Sequence, residues 1–310
     1  MPNWCANRLY ISGAEEQTRQ VQKLMEGEIY PRVDVAIGQS VKFFLAGCAG
    51  VLKPLTEQEY SPYPALTVRG TGESNRQNRA FSEWLELLKQ DAELDEDNCA
   101  LISRLYTDSG LESVAWRDLT DEARVIIKNI SKTKYFDWPG KCVRERLSDE
   151  SFWEHVSSAA GILTSAPFDM RLILPTRLAV ELNGFNGGLL NGVMSTYNYY
   201  VWHRYETKWP VGTGLNFASR SATEVTVDFD TPWSPAGEAL FAELSRKYQC
   251  HIEHFYSEAG SDFCGYRAYS NGQLIEADDG SLEYQEAEEE GWSEICGPDW
   301  IIDKVAHYGG

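Results

Sequence analysis

Four residues between positions 202 and 233 have side chains suited to holding a flat or charged ligand. Three are tryptophans, Trp202, Trp209 and Trp233, and the fourth is Lys208, which directly precedes Trp209. Indole rings stack on bases and peptides, and an ammonium group beside them adds a cation–π contact. The residues therefore predict an aromatic platform with one cation. The alternative is that the tryptophans pack a sheet and its loops, with Lys208 at the rim.

Two carboxylates, Glu258 and Asp262, flank a short turn downstream of these tryptophans. Carboxylates held close together can share the work of a general acid and a general base. Glu258 therefore joins the predicted binding site, although no residue is assigned a catalytic role. The alternative is that both carboxylates are only the polar ends of a hairpin.

The histidine pair His251 and His254 has a spacing that would bind a metal ion on a helix. The surrounding CHIEHFYSE alternates like a strand, and strand positions three apart point to opposite faces. We therefore predict no metal site and no cofactor. The sequence also has no phosphate-loop pattern of the GxxxxGK[ST] type and no GxSxG nucleophile motif.

Acidic residues are concentrated after position 275. The net charge is −19, and residues 276–303 hold 11 Asp and Glu with no Lys or Arg. Such a field repels phosphate backbones, so direct nucleic-acid binding is disfavoured, and it attracts basic protein surfaces. We expect a surface that binds a basic protein; its densest acids are Glu286, Glu288, Glu289 and Glu290. The alternative is a solvated loop that protects an edge strand and keeps the protein soluble.

The elements that would position these residues are strands and two helices. Trp4–Ser12 alternates as a strand, with Cys5, Asn7, Leu9 and Ile11 on one face and Trp4, Ala6, Arg8 and Tyr10 on the other. A helix follows it, and a second helix is predicted after Ser234 as N-cap, with Pro235 at its first position. Further strands are predicted at ATEVTVDFD, CHIEHFYSE, FCGYRAY and QLIEA. This order predicts a ferredoxin-like α+β fold, an antiparallel sheet with helices on one face.

The middle of the chain has helical spacing instead. RAFSEWLELLKQ, NCALISRLY, TDEARVIIKNIS and SDESFWEHVSSAAGIL all place apolar residues at helical intervals, and Ser148 is a suitable N-cap for the last. We therefore predict a mostly helical insertion at 75–166. It interrupts a ferredoxin-like domain formed by residues 1–74 and 167–310, which carries the acidic extension.

The cysteines and apolar runs indicate the compartment. The seven cysteines are scattered without a CxxC pair, the first residues do not form a secretory signal, and no apolar run is long enough to cross a membrane. We expect a reduced, cytoplasmic protein.

Four separated motifs resemble those of the YubB-like family of phage and plasmid proteins. They are MPNWCANRLYISG, YETKWPVG (Tyr205–Gly212), FDTPWSP (Phe229–Pro235) and YSEAGSDFCGYRAYSNG (Tyr256–Gly272). The second is similar to the family's W-G-T-K-W stretch, with Glu206 where the family usually has glycine. The resemblance covers roughly residues 1–30 and 170–280. It implies a ferredoxin-like domain and a mobile-element gene acting in the bacterial host cytosol, and it implies no reaction.

These observations favour an accessory protein of a mobile element that is a non-enzymatic protein-interaction module, with its acidic surface turned to a basic host factor. The alternative is a ligand-binding or enzymatic domain with its site between the sheet and the helical insertion, near Trp209, Trp233 and Glu258. A sheet that reads RNA would need exposed aromatics ringed by Lys and Arg. Residues 151–310 hold only 9 Lys and Arg, so this is the weakest of the three hypotheses.

Overall fold

The computed structural model describes residues 3–27, 32–134, 137–138, 147–157, 168–285 and 294–310. The chain divides into two compact units, which we call the sheet unit and the helical unit. The sheet unit comprises Met1–Tyr30, Ser165–Leu174 and Tyr200–Gly310, and the helical unit comprises Pro31–Thr164 and Pro175–Tyr199. The helical unit is thus larger than the sequence indicated, because residues 31–74 and Pro175–Tyr199 group with the helices.

The sheet unit is built on seven strands and two helices. In chain order these are β1 (Trp4–Ser12), α1 (Glu15–Met25), β2 (Phe168–Asp169), β3 (Val211–Arg220), β4 (Glu224–Pro232), α9 (Glu238–Tyr248), β5 (His251–Glu258), β6 (Phe263–Ser270) and β7 (Gln273–Gly280). The strand order is β2-β3-β4-β1-β5-β6-β7, and all neighbours are antiparallel. The segment β3-β4-β1-β5, with α1 after β1 and α9 after β4, is a ferredoxin-like arrangement. The predicted fold class is confirmed.

The alternation of β1 determines which face of the sheet is covered by helices. Leu9 pairs with Val227 on one side and with His254 on the other, and all three side chains are buried. Phe241 of α9 contacts the His254 ring at 4.2 Å between ring centres. We call this side the helix-covered face. Arg8, Tyr10 and their cross-strand neighbours point the opposite way, onto what we call the open face.

Residues 298–310 lie across part of the open face. Ile301 and Val305 are buried in one cluster with Phe255 of β5. Two backbone hydrogen bonds hold the segment: Ala259 N–H donates to the Tyr308 carbonyl (2.9 Å), and Gly310 N–H donates to the Trp4 carbonyl (3.0 Å). A separate two-stranded sheet pairs β8 (Glu283–Gln285) with β9 (Glu294–Gly297).

The helical unit packs around α2. Its helices are α2 (Arg32–Cys48), α3 (Arg76–Lys89), α4 (Glu96–Ser109), α5 (Asp121–Thr133), α6 (Asp149–His155), α7 (Leu178–Asn183) and α8 (Thr196–Tyr199). Phe43 of α2 stacks on Trp84 of α3, with ring centres 5.1 Å apart. A Cβ at Gly47 would lie within 2.8 Å of the Phe81 ring, so this close approach of α2 and α3 requires glycine.

Asn183 organises the glycine-rich loop that follows α7. Its Nδ2 donates to the carbonyls of Val193 (2.8 Å) and Met194 (3.1 Å). Its Oδ1 accepts from the N–H groups of Leu189 (2.9 Å) and Leu190 (2.8 Å). The amide thus satisfies four backbone groups at once, and the loop is a structural turn.

The sequence predicted the N-cap residues of two helices, and one of the two predictions is confirmed. Ser148 caps α6 as predicted, because its hydroxyl accepts from Ser151 N–H (3.1 Å). The prediction for Ser234 is wrong: α9 begins at Glu238 with Gly237 as N-cap. The Ser234 hydroxyl instead donates to the Glu206 carbonyl, so a distant partner takes the group that would have capped the helix. Among the described residues, no helix is long and apolar enough to cross a membrane.

Candidate functional site

The sheet unit brings three of the predicted site residues together. The Lys208 ammonium lies 4.1 Å from the ring centre of Trp233 and 5.0 Å from that of Trp209. Trp209 in turn lies 6.3 Å from Trp4 of β1, between ring centres. In this arrangement, which we call the sandwich, the chain's own lysine makes a cation–π contact with each of the two indoles. Trp233 nevertheless leaves 45% of its surface exposed.

The backbone around this sandwich has an uncommon conformation. Trp233 has φ 73° and Glu206 has φ 57°, both in the left-handed region that favours glycine. Trp233 N–H donates to the Asn3 carbonyl (2.8 Å). The Thr207 hydroxyl donates to the Pro232 carbonyl (3.0 Å). These long-range bonds hold the two segments in place against the cost of the left-handed residues.

The other two predicted binding residues lie apart from the sandwich contacts. Trp202 is in a π-helical turn (Tyr200–Arg204) and is 71% exposed. Glu258 is fully buried, and its carboxylate accepts from the N–H groups of Gly260 (2.9 Å) and Ser261 (2.6 Å). Asp262 Oδ1 accepts from Leu282 N–H (3.1 Å). Glu258 therefore stabilises the turn that follows it, and Asp262 connects that turn to the chain after β7.

The two histidines point to opposite faces of the sheet. His254 is buried on the helix-covered face, and its ring contacts Asn7 Oδ1 at 2.9 Å. Its burial lowers its pKa to about 3, with a smaller contribution from the Arg267 charge. His251 lies on the open face, 3.6 Å from Glu253. Within the described ranges, no group of three or more His, Cys, Asp or Glu could hold a metal ion.

The acidic surface is only partly within the described residues. Glu286, Glu288, Glu289 and Glu290 lie outside them. Three of the described acids upstream, Glu276, Asp278 and Asp279, lie in β7, the last strand of the sheet, in which all eight residues are exposed. Arg267 of β6 pairs with Asp279 through both carboxylate oxygens (3.1 Å each). No described strand pairs with the outer edge of β7.

The charged side chains on the open face were not predicted from sequence spacing. Arg8 donates to both oxygens of Asp228 (2.6 and 2.9 Å), and its Nη1 donates to the Asp303 carbonyl (3.3 Å). His307 Nε2 lies 2.9 Å from Asp230. The signal was available, since Arg8 and Tyr10 fall on one face of the first strand. The residues that cover them could not be inferred from spacing.

Carboxylates and burial determine the electrostatics of this face. Burial raises the pKa of Asp230, and the neighbouring His307 partly opposes that effect. Burial also raises the pKa of Tyr266 to about 12, with further contributions from the carboxylates Glu253 and Glu276. The acidic character of β7 thus extends across the strands onto the open face.

Two family models match this chain. One, described as "Protein of unknown function (DUF1281)", matches residues 30–209. The other, described as "Ferredoxin-like domain in Api92-like protein", matches residues 205–299. These ranges follow the helical part and the β3–β9 part of the chain.

Relatives and a solved structure agree with these matches. The crystal structure of the protein api92 from Yersinia pseudotuberculosis superposes with a TM-score of 0.81 at 37% identity, covering 93% of this chain and all of that one. "Uncharacterized protein YubB" of Escherichia coli K12 is 46% identical over 145 residues, 46% of this chain and 99% of its own. "Uncharacterized protein YubA" of the same strain is 37% identical over 153 residues, 49% of this chain and 89% of its own.

Proposed function

Because the chain belongs to the DUF1281 family, whose function is unknown, we propose its role from its own geometry: it is a non-enzymatic interaction module that binds a basic, extended segment of a partner protein along β7. The observation that carries the proposal is the exposure of every residue of β7 at the edge of the sheet. An edge strand presents unpaired backbone groups to which another strand can be added.

The outer edge of β7 is free for pairing along the first half of the strand. Asp279 N–H donates to its neighbour Asp278 Oδ1 (3.0 Å), so a side chain already occupies that edge donor. Along residues 273–277, no hydrogen bond of the described chain reaches the outer edge. This stretch includes the apolar side chains Leu274 and Ile275, which are 38% and 56% exposed. Strand addition here would bury apolar surface as well as pair the backbone.

The negative charge of β7 determines which kind of strand can pair with it. Residues 273–280 carry three acids and no Lys or Arg. Pairing of two β7 strands would place like charges opposite one another, which destabilises a sheet. A segment with Lys or Arg at alternate positions would place ammonium or guanidinium groups against Glu276 and Asp278. We therefore propose a basic partner rather than a second copy of this chain.

The proposal is tested with a purified peptide that alternates Lys with Val or Thr, using fluorescence anisotropy at low and high salt. The test variant is Glu276→Gln with Asp278→Asn, and the matched control is Glu83→Gln with Glu86→Gln on the exposed side of α3. We expect the β7 variant to lose at least tenfold in affinity and the control to bind like the wild type. Binding should also weaken at high salt.

A second part of the experiment tests the four densest acids of the sequence, which follow β8. The variant Glu286→Gln, Glu288→Gln, Glu289→Gln and Glu290→Gln measures how much these residues add to the same affinity. Loss of binding in this variant alone would move the partner surface from β7 to these four acids. Equal affinity of the wild type and both acidic variants would reject the acidic interaction surface altogether.

The cellular setting is part of the same proposal. The family resemblance supports a mobile-element protein acting on a host factor in the bacterial cytoplasm. Cell fractionation with an antibody to the native chain tests the compartment; recovery with the membrane or the periplasm would contradict it. A ligand-binding or enzymatic domain stays the alternative prediction, although Lys208 of the chain itself already contacts both Trp209 and Trp233.

A further inference from the structure

A cavity of about 230 Å³ lies on the open face beside Tyr10. The register of β1 brings its walls together: Glu224 and Thr226 come from β4, Ser12 and Tyr10 from β1, and Glu253 from β5. The cavity lies within the sheet unit and does not involve the outer edge of β7.

The lining of this cavity is acidic and rich in hydroxyl groups. Glu224 lies opposite Ser12 and Glu253 lies opposite Tyr10, so the two carboxylates approach from opposite sides of β1. No Lys or Arg is among the lining residues; His251, which lies 3.6 Å from Glu253, is the histidine of the lining. Ser219 Oγ donates to Thr226 Oγ1 (2.9 Å), which adds hydroxyl oxygens to the wall. Carboxylate and hydroxyl oxygens accept hydrogen bonds from N–H groups.

The fold itself shows that a cation is stable against Tyr10. The Lys304 ammonium, carried by residues 298–310, lies 5.5 Å from the ring centres of both Tyr10 and Phe255. The nearby Arg8 is paired with both oxygens of Asp228, so its charge is already balanced. Tyr10 thus lies near an ammonium group of the chain itself and also lines the acidic cavity.

We infer that this cavity binds the ammonium or guanidinium group of an organic cation. Glu224 and Glu253 would accept its N–H groups, and the Tyr10 ring would contact its charge or its methylene groups. Two sources supply this chemistry: a free amine, or a Lys or Arg side chain of a protein. Only the second source rests on the interaction function proposed above.

The test uses isothermal titration calorimetry with argininamide, with putrescine, and with the alternating Lys peptide. The wild type is compared with Glu224→Gln/Glu253→Gln, and Glu276→Gln/Asp278→Asn on β7 is the matched acidic control. Thermal melts followed by circular dichroism are the control for whether all variants fold like the wild type. We expect at least a tenfold loss of cation affinity in the cavity variant and no loss for free cations in the β7 variant.

The outcomes separate the two sources. Binding of argininamide or putrescine that needs Glu224 and Glu253 supports a site for free cations. If only the peptide binds, and the cavity variant weakens it at least tenfold, the cavity holds a partner's side chain. If the cavity variant changes neither affinity, the inference is overturned. If peptide binding depends only on Glu276 and Asp278, the proposal of strand addition at β7 is supported and the inference about the cavity is not.

Discussion

Asn7 Oδ1 and His254 Nε2 lie 2.9 Å apart on neighbouring strands at the centre of the sheet unit. The Asn7 amide is oriented by its Nδ2, which donates to the Cys5 carbonyl (2.8 Å) and to Thr231 Oγ1 (2.9 Å). Its oxygen therefore accepts from His254, which is the neutral imidazole protonated on Nε2. His254 Nδ1 is buried and has no partner among the described residues, so a second proton there would have no acceptor.

This pair predicts a loss of stability in acid. The folded pKa of His254 is about 3, below its ordinary 6.5, so between these values the unfolded chain binds a proton that the folded chain does not. The free energy of unfolding should fall as the pH falls from 6.5 to 3. We expect His254→Gln to flatten this part of the curve, measured by urea denaturation at several pH values. His203→Gln, at an exposed histidine, should keep the wild-type slope; equal slopes in all three proteins would contradict the prediction.

A buried lysine predicts that stability also depends on pH at the alkaline end of the range. Lys42 is 2% exposed, its ammonium lies 4.9 Å from the Trp153 ring centre, and burial lowers its pKa to about 8 from an ordinary 10.5. Between these values the unfolded chain binds the extra proton, so stability should rise with pH from 8 to 10.5.

Replacing this lysine removes that dependence. Lys42→Met should increase the free energy of unfolding at pH 7 by about 2 kcal/mol, because the cost of burying the charge disappears. The gain over the wild type should shrink above pH 10. Lys132→Met, at an exposed position of α5, is the control and should change neither quantity. A destabilised Lys42→Met protein would mean that the contact with Trp153 outweighs the burial cost.

The left-handed backbone at Glu206 predicts a stabilising glycine. A side chain at φ 57° costs about 1–2 kcal/mol. We expect Glu206→Gly to stabilise the protein by about 0.5–1 kcal/mol after the greater freedom of glycine in the unfolded chain is subtracted. Glu206→Ala should give no gain, since it keeps the Cβ. Equal stabilisation by both substitutions, in thermal melts, would assign the effect to the charge instead.

The four hydrogen bonds of Asn183 predict a large cost for its removal. Asn183→Ala would leave two carbonyls and two N–H groups of the loop without their partner, and we expect a loss of about 2–4 kcal/mol in urea denaturation. Limited proteolysis should then cut between residues 184 and 195. Asn191→Ala, at an exposed residue of the same loop, should cost less than about 1 kcal/mol. Similar losses in both variants would show that the loop does not depend on Asn183.

The sheet unit was largely predictable because its strands alternate. β1, β4, β5 and β6 each place apolar residues on one face, and their order leaves few topologies. α2 gave no such signal. Its sequence RVDVAIGQSVKFFLAGC is apolar around most of its circumference, since it is buried among other helices, so it lacks the amphipathic period that identifies a surface helix.

The contacts of the candidate sites were less predictable than the elements. The sequence identified Lys208 and Trp209 as neighbours. The contact of Trp233 with Lys208 depends instead on a left-handed backbone and on hydrogen bonds with Asn3 and Thr207. The cavity beside Tyr10 combines residues from four strands, and its neighbour Lys304 comes from a segment with little alternation. Such placements depend on tertiary contacts that local patterns do not contain.

The central position of β1 has a consequence for synthesis of the chain. Its two partners, β4 and β5, begin more than 200 residues later, at Glu224 and His251. At about 5–20 residues per second on the ribosome, β1 waits on the order of 10–40 seconds for its first neighbour. During that time both of its edges and its apolar face are open, while the intervening helices have already emerged. We therefore expect the nascent chain to bind chaperones that recognise exposed strands, and a ribosome stall between residues 200 and 224 to leave an aggregation-prone intermediate.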